Sequence, residues 1–362
     1  MSEVKIMPPE EVRRMFDRLG ELTLNVTEIK RKFIDCPYGE DPRQKLDIYL
    51  PNEGGGPFPI IFFAHGGGWT GGVKSDVQIV PFISGVKRGY AVIALGYRLI
   101  PGIRYPENLF DIKAALRWVA ANAETYLLDP TRTALCGASA GAHLAMMAAF
   151  TQGQAVFEGA SGVTADSHFT PSAIDIAAAA SADCITDGAG RSRTHKISSA
   201  SAAADAANAF TAATGSAPAT GAADIPTCVV RAVVDQFGPT DFSKFHMHYD
   251  ESGYARAQPP GTPGSIDTLL GTDSEQIPNM IRFANPIDNV HSNVPPILIQ
   301  HGRYDPIIPY QQSTELYDKV NTIAGAGMAE IDLSEEFLHA DPGYAAAESV
   351  ERIFSFLDKY LI

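Results

Sequence analysis

Cys136-Gly137-Ala138-Ser139-Ala140-Gly141 joins two segments of opposite character. Before it, Thr133-Ala134-Leu135-Cys136 is an apolar run that predicts a short buried strand. After it, Ala142-His143-Leu144-Ala145-Met146-Met147-Ala148-Ala149 is rich in strong helix formers. A strand that reverses sharply into a helix forces the residue at the tip into strained backbone angles and leaves no room for side chains at the flanking positions. Gly137 and Gly141 supply that room. Ser139 is thereby expected at the tip, its hydroxyl clear of the sheet and a helix N-terminus behind it, where free N–H groups and the helix dipole favour developing negative charge. That is the position of a nucleophile.

Working outward, Ile60-Ile61-Phe62-Phe63-Ala64 is a continuous apolar run, the sign of a strand buried on both faces. It leads into His65-Gly66-Gly67-Gly68-Trp69. Three consecutive glycines cost conformational entropy and make sense where backbone must approach a ligand. The amides of Gly67 and Gly68, with that of Ala140 after the serine, are the expected donors of an oxyanion hole. On the C-terminal side, residues 296–300 and 328–333 read as further strands, the first running into His301-Gly302-Arg303-Tyr304-Asp305-Pro306 and the second into a loop that holds Leu338-His339-Ala340. A turn-forming Asp before Pro and an ordinary loop His describe these residues singly. Placed each after its own strand, in the order Ser139, Asp305, His339, they describe a catalytic triad.

The rest of the chain supplies an α/β alternation. Residues 28–35 and Lys45–Leu50 alternate as strands and look like the antiparallel opening of a larger sheet, preceded by a short amphipathic helix that begins at Pro8-Pro9-Glu10-Glu11. Residues 77–88 predict a helix ending at Gly89, and Ala91–Leu95 a buried strand. Leu109, Ile112, Leu116 and Val119 mark the core face of another helix. Arg98 is expected in a structural salt bridge. Strands separated by helices imply a mostly parallel sheet covered on both faces, an α/β fold. A strand is expected again at 229–236 and a closing helix at 345–361. Between them, residues 153–224 are dominated by Ala, Ser, Thr and Gly, with too few large apolar residues for an independent core. This segment reads as an insertion in a catalytic domain formed by 1–152 and 225–362, either a lid or a surface excursion. His246-Met247-His248 would put two imidazoles on one face of a strand, yet no third imidazole accompanies them, so surface histidines are expected and no metal.

Composition narrows the partners. The 362 residues are 45% hydrophobic, enough for a sizeable core in one large domain or two. A formal charge of -14 argues against nucleic acid or an anionic membrane as partner. No stretch is apolar enough to span a bilayer and the first residues lack an apolar signal core, so a cytoplasmic location is expected unless a signal was removed before this numbering. The four cysteines, Cys36, Cys136, Cys184 and Cys228, show no C-x-x-C spacing. Free thiols are expected, although Cys184 and Cys228 could pair in an oxidising compartment.

His65-Gly66-Gly67-Gly68-Trp69, Gly137-Ala138-Ser139-Ala140-Gly141, His301-Gly302-Arg303-Tyr304-Asp305-Pro306-Ile307-Ile308-Pro309 and His339 together resemble the α/β-hydrolase serine esterases. Residues 234–241 and Asn285-Pro286-Ile287 further resemble the bacterial feruloyl-esterase and acetyl-esterase-like branch near the hormone-sensitive-lipase group. The likeness spans residues 45–362 except the insertion, and departs from the branch where Leu338-His339-Ala340 stands for the usual Gly-His-Gly. It implies hydrolysis of a small-molecule ester through an acyl-enzyme without metal or organic cofactor, and leaves a homo-oligomeric state open. An amidase or peptidase on the same fold, or a ligand-binding homologue without chemistry, are the rival readings. Trp69 follows the glycines directly and is expected beside the bound ester, with Phe237 and Tyr304 near the same edge. Such aromatic walls favour short acyl and aryl or hydroxycinnamoyl esters over long chains.

Overall fold

The continuous apolar runs become central strands. In the computed structural model, which describes residues 7–158, 227–252, 265–271 and 277–362, the strands are β1 Arg31–Pro37, β2 Lys45–Leu50, β3 Phe58–Ala64, β4 Ala91–Leu95, β5 Leu128–Ala138, β6 Val230–Gln236, β7 Ile297–Gly302 and β8 Ala329–Ser334. They form one sheet in the order β1-β2-β4-β3-β5-β6-β7-β8. β2 runs antiparallel to β1 and β4, as the opening alternation implied, and every other pairing is parallel. The C-terminal ends of β3, β5, β6, β7 and β8 therefore lie along one edge, which is where side chains from distant parts of the chain can meet. The described residues all fall in one compact unit. The 153–224 insertion lies outside them beyond residue 158, and so does Cys184.

The helices that carry the argument are α1 Pro9–Leu19, α2 Glu107–Ala121, α3 Ala140–Phe150, α4 Phe245–Ser252, α5 Gln311–Ile323 and α6 Ala347–Leu361; further short helices span Ser265–Leu270 and Ile277–Ala284. Every residue of β3 and β4 is buried. Alternate residues Ile61, Phe63, Cys136, Val234 and Leu298 share a core cluster with Ile353, Phe354, Phe356 and Leu357 of α6. Their neighbours Ile60, Phe62, Leu135, Val233 and Ile299 are equally buried, and α2 and α3 pack on β5. Burial on both faces explains why these strands read as unbroken apolar runs instead of alternating ones. α3 is buried at every position, which removes any polar stripe from its sequence.

Three expectations need correction. The helix expected over 77–88 is broken into a 3-10 turn Val77–Ile79, a single α turn Val80–Ile83 and a second 3-10 turn Ser84–Arg88 before Gly89 at φ 91°. Pro81 has no amide to continue the hydrogen bonding of the first turn, and a Cβ at Gly85 would stand 2.9 Å from Ile61 and 3.1 Å from Phe354, so the segment is pressed onto the core. Strand β5 begins at Leu128, earlier than the apolar run, because Leu128 pairs with Phe58 across the sheet. His246 and His248 lie on helix α4, where residues two apart point to different sides. His246 is exposed, whereas His248 is fully buried between Glu315 Oε1 at 3.1 Å and Gln312 Nε2 at 2.9 Å, so it is not a surface histidine.

Candidate active site

Ser139 occupies φ 53° and ψ −121°, between the last residue of β5 and the first of α3. The glycines on either side are required by contact: a Cβ at Gly137 would stand 2.5 Å from the Gly141 carbonyl group, and one at Gly141 would stand 2.1 Å from the Ala64 carbonyl oxygen and 2.3 Å from that of His65. The second contact also docks the start of α3 onto the end of β3. A Cβ at Gly66 would in turn meet the Ala138 carbonyl oxygen at 2.9 Å. The glycine loop and the serine turn are thus held against each other by backbone contact alone.

That loop is braced from several sides. The Gly66 amide donates to Gln78 Oε1 at 2.7 Å, and the Tyr97 hydroxyl donates to the His65 carbonyl at 2.7 Å. The Ile100 amide donates to the Trp69 carbonyl at 3.0 Å. Arg98, expected in a salt bridge, pairs with Asp111 at 2.8 Å and Glu107 at 3.2 Å beside this contact. Among the described residues no acceptor engages the amides of Gly67, Gly68 or Ala140. Gly67 at φ 118° and Gly68 at φ 57° adopt the left-handed geometry that turns successive amides to one side.

His339 closes the constellation from the loop after β8. Its Nε2 lies 3.1 Å from Ser139 Oγ and its Nδ1 lies 2.7 Å from Asp305 Oδ2. Asp305 follows β7, and its other oxygen accepts the amides of Ile307 at 2.7 Å and Ile308 at 2.9 Å. Burial alone would raise the Asp305 carboxyl, but the charge of His339 and hydrogen bonds from His301 and His339 outweigh it and hold the group well below the usual carboxylate range. Asp305 is therefore ionised, which makes it an acceptor and assigns the Nδ1–H tautomer to His339. Ala340, where the resembled branch has glycine, sits at φ 55°. The loop keeps the left-handed turn without the residue that adopts it most easily. Asp341 accepts from Arg18 of α1 at 2.6 Å, so the opening helix braces the histidine loop.

The other imidazoles nearby are of a different kind. Burial pushes His65 and His143 down to about 4, so both are neutral near pH 7. His143 bonds the Ala284 carbonyl at 2.8 Å, and its ring meets Trp69 at 5.3 Å and Phe242 at 5.1 Å. Trp69 is only 3% exposed and sits edge-on in this aromatic cluster, so contact with an ester would require that ring to be uncovered. Phe237 packs its ring 4.7 Å from that of His339, while Tyr304 is exposed. No group of three or more His, Cys, Asp or Glu among the described residues is arranged to hold a metal, and no helix among them is long and apolar enough to cross a membrane. Sequence reading gave no role to Gln78 or His301. Nothing local marks Gln78, whereas His301 opens the same motif as Asp305.

Comparison with known proteins places this geometry in context. Over 304 residues the chain is 22% identical to Esterase LipC of Mycobacterium tuberculosis, covering 82% of this chain and 57% of that protein. It is 30% identical over 141 residues to the versiconal hemiacetal acetate esterase of Dothistroma septosporum, covering 39% and 43%. The chain thus spans about half the length of the curated relatives it matches. A solved structure of a truncated carbohydrate esterase from gut microbiota superposes with a TM-score of 0.66 at 22% identity, covering 92% of this chain and 98% of that one. The fold is that of the α/β-hydrolases. The BD-FAE family model matches residues 46–222 and 190–320. With well over half its length so matched, the chain belongs to the BD-FAE family.

Proposed function

We propose that the protein is a serine carboxylesterase that hydrolyses short-acyl and aryl or hydroxycinnamoyl esters through an acyl-enzyme. The observation that carries this reading is the hydrogen-bonded series from Ser139 through His339 to an ionised Asp305, beside three unengaged amides. In the proposed reaction Ser139 Oγ attacks the ester carbonyl as its proton passes to His339 Nε2. Asp305 holds the ring and stabilises the imidazolium, and His339 then gives the proton to the leaving alkoxide. Water repeats the sequence on the acyl-enzyme, releasing the acid and restoring the serine. The amides of Gly67, Gly68 and Ala140 would receive the oxyanion, each such donor contributing about 3 kcal/mol to the transition state. All bonds made and broken are accounted for without a metal or organic cofactor.

The substrate class rests on more than the triad. One relative named above acts on an acetate ester, according to its name, which supports a short acyl group. Phe237, expected at the substrate edge, is instead 2% exposed within the core cluster, where it backs the His339 ring and packs on Tyr344, so it fixes the histidine and does not wall the ester. Two measurements test the reading. An organophosphonate that requires an activated serine should add once, to Ser139, and specificity constants should be high for acetyl to butyryl esters and methyl ferulate and fall for long-chain esters. An inert Ser139, or a preference rising steadily with chain length, overturns it.

A further inference from the structure

Asp305 is approached by two histidines, and only one of them faces the serine. His301, the fifth residue of β7, is fully buried, and its Nε2 lies 3.3 Å from Asp305 Oδ2, the same oxygen that accepts from His339. The same Nε2 lies 2.9 Å from the Ile308 carbonyl oxygen, and Nδ1 lies 2.6 Å from Ser313 Oγ on α5. These partners assign the tautomer. A carbonyl and a carboxylate can only accept, so Nε2 carries the hydrogen; Nδ1 then accepts from the Ser313 hydroxyl. Asp305 thus accepts the amides of Ile307 and Ile308 on one oxygen and the His339 N–H on the other, and the His301 Nε2, whose hydrogen is bonded to the Ile308 carbonyl, stands 3.3 Å from that second oxygen as an electrostatic contact.

We propose that His301, oriented by Ser313, is a positioning residue of the triad: its Nε2–H fixes the direction of Asp305 Oδ2 and draws off part of the carboxylate charge that His339 experiences. The two amides locate Oδ1 but leave the carboxyl plane free to turn about that anchor, and His339 sits on a loop that must itself be positioned. His301 belongs to a buried strand and is tied at both ring nitrogens, so it supplies the rigid reference the loop lacks. It moves no proton in the reaction. The ionisable groups facing it are Asp305 and, from β6, the buried Asp235, with the Tyr344 phenol near both carboxylates.

This inference rests on the esterase reading, and the test separates the two. With p-nitrophenyl acetate, kcat, KM and the pH dependence of kcat/KM are compared for the wild type, His301→Leu, His301→Gln and Ser313→Ala, and again in an Asp235→Asn background. His301→Leu should lower kcat about 10-fold or more with KM within about 2-fold. It should also move the acid limb upward by about 0.5 pH, because a carboxylate relieved of that contact stabilises the His339 imidazolium more strongly. His301→Gln, which restores an N–H, should recover most of both effects. Ser313→Ala should change both in the same direction by a smaller amount, and it carries the test if the leucine variant does not fold. An active wild type with an unmoved acid limb in His301→Leu and Ser313→Ala, or a glutamine variant no better than leucine, overturns the inference alone. An inert wild type overturns it together with the esterase reading.

Discussion

Ser139 Oγ and His339 Nε2 stand 3.1 Å apart although 200 residues separate them in the chain. The distance is that of a hydrogen bond between hydroxyl and imidazole. Ser139→Ala and His339→Ala should each lower ester turnover by a factor on the order of 10³ or more with the thermal transition retained. Steady-state assays on folded protein check this; near wild-type hydrolysis by Ser139→Ala would remove Ser139 from the mechanism.

The close approach of Gly141 to the end of β3 separates steric need from conformational preference. A Cβ there meets two backbone oxygens at 2.1 and 2.3 Å, neither of which can swing away. Gly89, at φ 91°, has open space around it. Gly141→Ala should therefore destabilise by several kcal/mol or prevent folding, whereas Gly89→Ala should cost about 1–2 kcal/mol. Denaturant unfolding of both variants decides the point, and equal losses would contradict it.

Asp235 offers a pH-dependent stability test. Burial raises its carboxyl to about 7, against an ordinary value of 3.8, with the Gly238 amide and His301 opposing. Between those values the folded state binds the proton more tightly than the unfolded chain, so this group's contribution to stability falls as pH rises from about 4 to 7. Asp235→Asn keeps an oxygen for the Gly238 amide, 2.8 Å away, and cannot ionise. Its Tm relative to the wild type should rise between pH 5 and pH 8. A difference that stays constant over that range would show that Asp235 does not titrate there.

His248 has both ring nitrogens engaged, by Glu315 and Gln312. Such a residue has no free lone pair for a metal without breaking a buried contact. Prolonged dialysis against EDTA should leave ester turnover unchanged, and restoration of lost activity by zinc would point to a metal that the His246-Met247-His248 arrangement does not explain.

What could be read locally was decided by local chemistry. Lys45–Leu50 and Ala91–Leu95 are strands with the limits the sequence suggests, because turn residues and apolar runs mark their ends. Gly137 and Gly141 announced the sharp turn because nothing larger fits between strand and helix. The family motifs brought Ser139, Asp305 and His339 into view as candidates. Where neighbours distant in the chain compete with local preference, the reading failed: the core press on Gly85 contributes to the broken helix over 77–88, and burial against α5 made His248 an interior residue on a helix.

Tertiary structure alone decided the strand order, which leaves β3, β5, β6, β7 and β8 ending at one edge, and with it the 2.7 and 3.1 Å bonds of His339. It also decided that Asp305 faces a second imidazole from β7 and that Trp69 packs on His143. Apart from His301 and Asp305, which share one motif four residues apart, these are distances between residues whose sequence neighbours carry no information about one another. A one-dimensional pattern specifies which side chain is apolar, which can ionise and where the backbone must turn; the register of parallel strands, set by packing over the whole sheet, specifies which of them meet.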